Sequence, residues 1–499
     1  MGDYISDILG ACQRHGGMNY FGDNIALINC NVFDGLNSEL QKNMTILIKG
    51  AKIHDVCHIK KSEVPNNFSI VDLDGHTILP GIIDSHIHQC SPFIYRLNLT
   101  SVRQIPIQLV LNSMRTVYSG VTTVCDMGGP QGFIKEFTKL TENNYIPGPR
   151  FLNSYTLVAP RKGKKLGYPS QIKMFNPFIA WLLDGQVATR PKTLKELKKV
   201  CHKVKDDGGD HLKITYQSHP FSKKKYGTRT NFPIFPAAWM KEILALGRDI
   251  GLVVDIHSPY GDDAATCVDL AIKVDARIRI QHMTFDGDLK ASVIRKMRDH
   301  GFFMIPTAMV YGDSFQMSNF VNWLDQDPKA YMMPEANRQS KASILNGIAL
   351  EPFSGQLVME HDYVYFRENF DFVRRNTQRA HDAGIIGLGS DIGGTNTGFF
   401  GRIRSEVKHY VEFGIPCYDI LKYLTSVNAE INGLNDRGVI KAGKLADLIV
   451  VDGNPLIDPI SALSDVSTVM KGGIFLKYKG LELTSLRTDI DLTGPKALL

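Results

Sequence analysis

The sequence lacks the features that define several classes of protein. It has no uninterrupted apolar run of about 18 residues, which each span of a polytopic membrane protein would need. Glycine and proline number 44 and 23 among 499 residues, too few for a collagen-like or largely disordered chain. The eight cysteines are scattered and never form Cys-x-x-Cys, which favours a reducing compartment over a disulfide scaffold. A globular protein with a large core is therefore expected.

The sequence also lacks a strong excess of either charge. The net charge of +6 is small for a chain of 499 residues, so nucleic-acid binding is not indicated. Two short basic runs, residues 161–165 and 223–225, are interpreted as solvated loops, with a patch that steers phosphates or carboxylates as the alternative. The first residues lack the basic region and apolar core of a secretory signal, so we expect a cytoplasmic protein.

The order of β-rich and helical segments predicts the fold class. The first eighty and last sixty residues contain short strands separated by Asp-Gly, Lys-Gly and Gly-Gly turns. Between them, apolar runs alternate with helical patterns, which indicates a parallel sheet. The number of these runs is the number of strands in a TIM barrel, and they lie at 77–84, 121–124, 151–157, 212–215, 252–256, 278–281, 303–306 and 386–388.

We therefore predict an α/β protein with two structural units. Residues 81–437 form a TIM (β/α)8 barrel, and residues 1–80 and 438–499 together build a small β-sandwich domain. The stretch at about 312–362 is longer than a normal connection between barrel elements and is rich in methionine, phenylalanine, asparagine and glutamine. It is predicted to be a helical insertion that covers the mouth of the barrel.

The motif with the clearest chemical meaning is His86-x-His88, which ends the apolar run 78–83. In a strand, residues i and i+2 point to the same side, so both imidazoles can bind one metal ion. Alone, His-x-His is a weak pattern that often arises by chance. It carries more weight at the carboxyl end of a first barrel strand, because barrel active sites lie at that face.

Four more residues of ligand type lie in or at the ends of similar apolar runs: Lys213, His257, His282 and Asp391. Each by itself is more often structural, as a buried histidine bonded to a carbonyl or a carboxylate that caps a helix. A lysine inside an apolar strand is unusual, because lysine is rarely buried without a partner. The occurrence of such residues on five predicted strands favours a shared metal site.

These residues and their surroundings resemble the metal-dependent amidohydrolase superfamily over nearly the whole chain. The resemblance rests on LPGIIDSHIH at 79–88, GVTTV at 120–124, GSD at 389–391 and GKLADLIV at 443–450. The order His-x-His, Lys, His, His, Asp is similar to the binuclear branch with a carboxylated bridging lysine. Within that branch, the sequence looks most like imidazolonepropionase-like and prolidase-like enzymes, including those that cleave N-acyl amino acids and ochratoxin-type amides.

The resemblance implies a role for each residue. His86, His88 and Asp391 would hold one divalent metal, and His257 and His282 the other, with Zn²⁺ as the default ion. Lys213 would react with CO₂ to become N6-carboxylysine and bridge the two ions. A hydroxide shared by the metals would attack an amide carbonyl, and Asp391 would act as the catalytic residue that passes the proton to the leaving nitrogen.

The sequence departs from the family around the expected substrate. Many relatives have Gly-Gly-His after the third strand, where this chain has LVAP at 157–160. After the fifth strand, relatives often have His-Ala, whereas here His257 is followed by Ser258. Tyr216 and Tyr260 are candidate contacts for a substrate carbonyl or carboxylate, and a packing role is equally consistent with either position.

The expected activity is hydrolysis of a C–N amide bond in a dipeptide, an N-acyl amino acid or a related amide. A single-metal deaminase is an alternative, although it would not need the bridging Lys213. An ester or lactone hydrolase and a non-catalytic amidohydrolase-like scaffold also remain open, although scaffolds usually lose ligands and none of the six is missing here. We expect a small-molecule substrate, a homo-oligomer, and neither nucleic acid nor a membrane as partner.

Overall fold

The computed structural model describes residues 22–91, 99–129, 131–163, 165–166, 188–219, 232–315, 349–350, 357–358, 360–394 and 399–482. Most of the predicted insertion at about 312–362 and the whole basic run 223–225 lie outside the described residues.

The described residues form a mixed α/β fold. In chain order, the strands are β1 Asn24–Val32, β2 Gln41–Lys49, β3 Lys52–Cys57, β4 Ser69–Asp72, β5 Thr77–Pro80, β6 Ile82–Ile87, β7 Val121–Asp126, β8 Arg150–Asn153, β9 Leu157–Val158, β10 Arg161–Lys162, β11 Lys165–Leu166, β12 Ala188–Thr189, β13 His211–Thr215, β14 Val253–His257, β15 Ile278–Gln281, β16 Phe303–Ile305, β17 Ala349–Leu350, β18 Leu357–Val358, β19 Leu448–Val451, β20 Thr468–Lys471, β21 Ile474–Tyr478 and β22 Leu481–Glu482. The α-helices are α1 Leu99–Tyr118, α2 Gln131–Glu142, α3 Leu194–Asp206, α4 Ala237–Asp249, α5 Gly261–Lys273, α6 Ala291–Asp299, α7 Ala308–Phe315, α8 Glu360–Asp382, α9 Ile403–Glu412, α10 Cys417–Leu424, α11 Ser426–Ile431 and α12 Pro459–Ala462. Of the helices in the described ranges, none is both long enough and apolar enough to span a bilayer.

Strands from both ends of the described chain share one sheet. Its order is β22-β21-β20-β19-β5-β1-β2-β3, and β4 pairs with β1. The two ends meet at β5, which pairs parallel with β1 and antiparallel with β19. Alternation along β1 places Ile25 and Leu27 in one apolar cluster, while Ala26 and Ile28 pack in another with Phe68.

The remaining long strands pair in parallel. β6, β7 and β8 form one sheet, and a second has the order β12-β9-β13-β14-β15-β16. Parallel bridges from Met304 to Ile386 and from Ile87 to Ile392 place the segment 386–392 beside both β16 and β6. Every residue of β6, β7 and β13 is buried, as expected for parallel strands with both faces covered. The carboxyl ends of these strands therefore lie along a common edge.

The predicted strand at 77–84 is divided between the two parts of the fold. β5 belongs to the first sheet and β6 to the parallel strands, and Gly81 lies between them. Its N–H donates to the carbonyl oxygen of Asp447 at 2.8 Å. A Cβ at Gly81 would come within 2.2 Å of the Thr122 side chain, so only glycine allows this close approach.

The predicted strand at 151–157 is also divided. β8 ends at Asn153 and pairs with β7, whereas β9 begins at Leu157 and pairs with β13. Between them, Tyr155 has a φ of +57°, a conformation outside the β region. The chain therefore changes its strand partner from β7 to β13 at Tyr155. The aromatic side chain of this residue, within an apolar run, predicts a continuous strand instead.

Charged side chains connect the first sheet to the part of the fold that contains the parallel strands. Arg150 donates two hydrogen bonds to the carboxylate of Asp447, at 2.9 and 3.2 Å. Lys471 in β20 is fully buried, and its Nζ donates to the carbonyl oxygens of Thr141 at 2.6 Å and Gly148 at 2.7 Å. Burial lowers the pKa of Lys471 to about 7.

We expect Lys471→Met to destabilise the protein, and to do so more strongly at higher pH. The substitution leaves two buried carbonyls without their donor, at about 1–3 kcal/mol each. Between pH about 7 and the ordinary lysine pKa of 10.5, the unfolded chain binds the proton that folded Lys471 releases. The wild type should therefore gain stability over the variant as pH rises through this window, by at most about 1.4 kcal/mol per pH unit. Thermal unfolding of both proteins at several pH values measures the gap, and a constant gap would contradict the prediction.

Candidate metal centre

The structure brings the six predicted ligand residues to one edge of the parallel strands. His86 lies in β6, His88 just beyond it, Lys213 in β13, His257 at the end of β14, His282 directly after β15, and Asp391 in the segment beside β6. Because parallel strands present their carboxyl ends together, residues far apart in sequence become neighbours here.

The carboxylate of Asp391 lies beside two imidazoles. Its Oδ1 is 3.3 Å from Nε2 of His86 and 3.4 Å from Nε2 of His88. One donor atom from each of these three residues lies within 4.8 Å of the other two. Asp391 has a φ of +53°, an unusual conformation for a residue other than glycine, which surrounding contacts must maintain.

A buried carboxylate on β6 supplies those contacts. Asp84 accepts hydrogen bonds from the Ser390 hydroxyl at 2.5 Å and from the Ser390 N–H at 3.0 Å. The N–H of Asp391 also donates to the carbonyl oxygen of His86 at 2.7 Å. The segment that carries Asp391 is thereby fastened to the strand that carries His86.

The other two histidines complete a continuous group of rings. The ring centroids of His257 and His282 are 4.4 Å apart, and those of His282 and His86 are 4.8 Å apart. His282 also has a positive φ, +73°, and its Nδ1 is 2.8 Å from the hydroxyl oxygen of Thr307. Four imidazoles and one carboxylate thus occupy a single small region.

Lys213 lies among these groups without a hydrogen bond to any described residue. Only 2% of Lys213 is exposed, and its Nζ is buried. Burial lowers the pKa of Lys213 to about 8, because a charged amine is poorly solvated there. An amine with a lowered pKa is more often neutral, and a neutral amine is the form that can react with CO₂.

Burial also lowers the pKa of three of the imidazoles, those of His86, His257 and His282. It brings the pKa of His86 to about 4, with a further contribution from the positive charge of Lys213. The pKa values of His257 and His282 lie well below the ordinary value for the same primary reason. Burial alone would raise the pKa of Asp391, but the neighbouring imidazoles, His86 first, outweigh it and lower that pKa. Neutral imidazoles and an ionised carboxylate are the forms that bind metal.

The donor atoms fit a divalent metal ion. Nε2 of His86, Nζ of Lys213 and Oδ1 of Asp391 are buried and have no hydrogen-bond partner among the described residues. Buried polar atoms without partners cost free energy, which a bound cation would offset at the nitrogen and the carboxylate oxygen. Histidine nitrogen and carboxylate oxygen are common ligands of Zn²⁺ and of other divalent transition metals.

Some residues that support the site were not predicted from the sequence, and Asp126 is the clearest example. Asp126 at the end of β7 accepts hydrogen bonds from the N–H groups of Gln89 at 2.8 Å and Gly128 at 2.9 Å. The carbonyl oxygen of Gly128 lies 2.9 Å from Nδ1 of His88. The sequence signal was present, since Asp126 ends an apolar run as the ligand residues do, but its role as a loop anchor depends on contacts across strands.

A second group of metal-ligand type, Cys125, His211 and Asp255, lies beneath this site. Asp255 already pairs with Arg279, whose Nη2 is 2.5 Å and whose Nε is 2.7 Å from its carboxylate oxygens. Nδ1 of His211 is 2.7 Å from the same carboxylate. Because the guanidinium supplies the positive charge that this carboxylate needs, we interpret the group as a buried ion-pair network.

The two candidate substrate contacts, Tyr216 and Tyr260, are both buried, with 5% and 2% of their surface exposed. Tyr216 directly follows β13, and its N–H donates to the carbonyl oxygen of His257 at 2.9 Å. The ring of Tyr260 packs against those of His219 and Phe285. Both tyrosines belong to the large apolar cluster of the protein, and their contact with substrate stays a prediction.

Comparison with known proteins places the chain in a family. The amidohydrolase family matches residues 77–475. A solved Xaa-Pro dipeptidase with bound methionine is 22% identical, with 91% of this chain and 100% of that chain covered and a TM-score of 0.67. For molinate hydrolase the identity is 19%, the coverage 93% and 96%, and the TM-score 0.67. For A. niger ochratoxinase the identity is 16%, the coverage 93% and 98%, and the TM-score 0.65. Among curated protein sequences, no match was found.

The chain belongs to the amidohydrolase family, because the match covers most of its length. The resemblance identified from the motifs at 79–88 and 443–450 is thereby confirmed. The solved structures share the fold of this chain, and they include prolidase-like proteins and other amidohydrolases.

Proposed function

We propose that this protein is a metal-dependent hydrolase that cleaves a C–N amide bond in a small molecule such as a dipeptide or an N-acyl amino acid. The observation that carries the proposal is the meeting of four imidazoles, Asp391 and the unpaired amine of Lys213 in one buried region. Membership of the amidohydrolase family supports it. So does the fold shared with a Xaa-Pro dipeptidase and with hydrolases of molinate and phenylurea.

The proposal includes a specific architecture. Three sets of pairings support an eight-stranded (β/α)8 barrel. The strands β6, β7 and β8 pair in order, and so do β9, β13, β14, β15 and β16. The segment 386–392 then joins β16 to β6. In this barrel, β8 and β9 would be two parts of the third strand. The sheet that β1–β5 share with β19–β22 supports a small β-sandwich domain built from both chain ends.

Two divalent ions, with Zn²⁺ as the first choice, are proposed for the site. His86, His88 and Asp391 would hold one ion and His257 and His282 the other, with the carbamate of Lys213 between them. When bound, the metal pair would supply Lewis-acid polarisation of the substrate carbonyl and lower the pKa of a water molecule. To form the carbamate, the neutral amine of Lys213 makes an N–C bond to CO₂ and loses one proton.

Asp391 would then transfer the proton of the attacking water. Asp391 is ionised, buried and within 3.4 Å of two imidazoles, so it can accept the proton of the attacking water and deliver it to the leaving nitrogen. The fastening of Ser390 to Asp84 would keep this carboxylate in place during the transfer. The burial of the whole group would limit access of bulk water.

Metal content and product analysis test the proposal. Protein purified without chelator should contain about two transition-metal ions per chain and release free amine and acid from a panel of dipeptides and N-acyl amino acids. Release of ammonia alone would indicate a deaminase, and cleavage of only the matching esters would indicate an esterase. A well-folded, active sample without metal would refute the assignment.

The proposal also includes a cytoplasmic location and the formation of a homo-oligomer.

A further inference from the structure

Two buried glutamines contact two of the site histidines. Oε1 of Gln281 lies 2.7 Å from Nδ1 of His86, and Oε1 of Gln217 lies 2.8 Å from Nε2 of His257. Both glutamines are at most 1% exposed, so water does not compete for these contacts. Gln281 therefore contacts Nδ1 of its imidazole, whereas Gln217 contacts Nε2 of its imidazole.

The orientation of the Gln281 amide follows from the buried ion pair below it. Nε2 of Gln281 is 2.5 Å from Oδ1 of Asp255, and that carboxylate is held by two N–H groups of Arg279. A guanidinium stays protonated, and the carboxylate that it neutralises can only accept hydrogen bonds. The NH₂ group of Gln281 must therefore face Asp255, and its oxygen must face His86.

The orientation of the Gln217 amide follows from a backbone carbonyl. Nε2 of Gln217 donates to the carbonyl oxygen of His219 at 2.7 Å. Because a carbonyl oxygen only accepts, the NH₂ group must face His219 and the amide oxygen must face His257. Both glutamines thus present an oxygen, and only an N–H group can satisfy that oxygen.

An imidazole that binds metal is neutral and carries a single N–H, so the glutamines decide which nitrogen keeps a lone pair. In His86 the proton is on Nδ1, and Nε2 keeps the lone pair. In His257 the proton is on Nε2, and Nδ1 keeps the lone pair. In this arrangement Nε2 of His86 and Oδ1 of Asp391 are two acceptors only 3.3 Å apart, which a cation bound to both would stabilise.

We propose that Gln281 and Gln217 are positioning residues that fix opposite tautomers of His86 and His257 and so select Nε2 of one and Nδ1 of the other as metal donors. The Asp255–Arg279 pair acts through Gln281, which gives the buried ion pair beneath the site a function. This inference rests on the proposed metal-dependent function.

The first test measures metal binding by the full-length chain. Gln281→Met and Gln217→Met remove the accepting oxygen and nearly preserve side-chain length. Each variant, stripped of metal and titrated with Zn²⁺ against a chromogenic chelator, should bind about 10–100-fold more weakly than wild type. Gln108→Met, at a buried glutamine on α1 whose Nε2 donates to Asn112, is the matched control and should bind as wild type does.

The second test reads the tautomers directly in metal-free protein. With ¹⁵N-labelled histidine, two-bond ¹⁵N–¹H correlations distinguish protonated Nδ1 from protonated Nε2, and His86→Asn and His257→Asn assign the signals. Wild type should show Nδ1–H at His86 and Nε2–H at His257, and each methionine variant should show a mixture at its own histidine. The same tautomer at both wild-type histidines, or methionine variants that bind Zn²⁺ as tightly as Gln108→Met, would overturn the inference. Wild type with these tautomers but no Zn²⁺ affinity would refute the proposed function and leave the tautomer assignment supported.

Discussion

Lys213→Ala should lose most of its bound metal and nearly all hydrolytic activity. A free ammonium between two divalent cations would be repelled, more strongly as the local dielectric falls. The proposed carbamate would replace that charge with an anion able to bind both ions, so its loss would remove a ligand from each. Loss of a residue that only orients a ligand already costs about 10–100-fold in metal affinity, and loss of the shared ligand should cost more.

Matched variants separate the carbamate from simple burial of a lysine. Lys213→Glu keeps an anionic oxygen on a shorter side chain and should retain part of the metal. A short carboxylic acid added with metal should partly restore Lys213→Ala. Lys471→Met removes another fully buried lysine, far along the chain, and should change stability while metal content per folded chain stays constant. Full metal occupancy and turnover in Lys213→Ala would refute the bridge and favour a catalytic metal site that does not need a bridging lysine, as in a mononuclear enzyme.

The grouping of the six candidate ligand residues could be predicted from the sequence because each of them carries a local signal. His86 and His88 end an apolar run, Lys213 interrupts one, and Asp391 follows another, so strand geometry alone assigns them to a common edge. No comparable signal marks Gln281 or Gln217. A buried glutamine on a strand looks like many others until the register between strands shows which imidazole it faces.

The limits of the fold prediction have similar causes. The β-rich ends were recognisable, but the position of β5 between β1 and β19 depends on its pairing with β19, whose residues lie more than 350 positions further along the chain. The break at Tyr155 was not predicted, because an aromatic residue in an apolar run favours a strand whereas its φ of +57° is imposed by the change of partner from β7 to β13. Local propensity therefore predicted the elements, and contacts between distant strands determined where they divide.

Asp391→Asn should behave differently from Lys213→Ala, because it removes the proposed proton acceptor but keeps one oxygen of the proposed metal ligand. The amide keeps an oxygen near His86 and His88, so part of the metal should stay bound. An amide cannot accept the proton of the attacking water at neutral pH, so kcat should fall by roughly 10²–10⁴-fold. The loss should appear mainly in kcat, since Asp391 is proposed to move a proton and not to hold the substrate.

Comparison of metal content and kinetics in the same samples distinguishes the two roles. Asp391→Ala removes the oxygen as well, so it should lose both metal and activity and resemble Lys213→Ala. Ser390→Ala removes the 2.5 Å hydrogen bond to Asp84 and leaves the Asp391 carboxylate intact. It should lower kcat far less than Asp391→Asn does, because the base is still present although its segment is held less firmly. If Asp391→Asn kept both full metal content and turnover within about tenfold of wild type, the proton would have to travel through another group. The buried carboxylate of Asp391 would then be a ligand only.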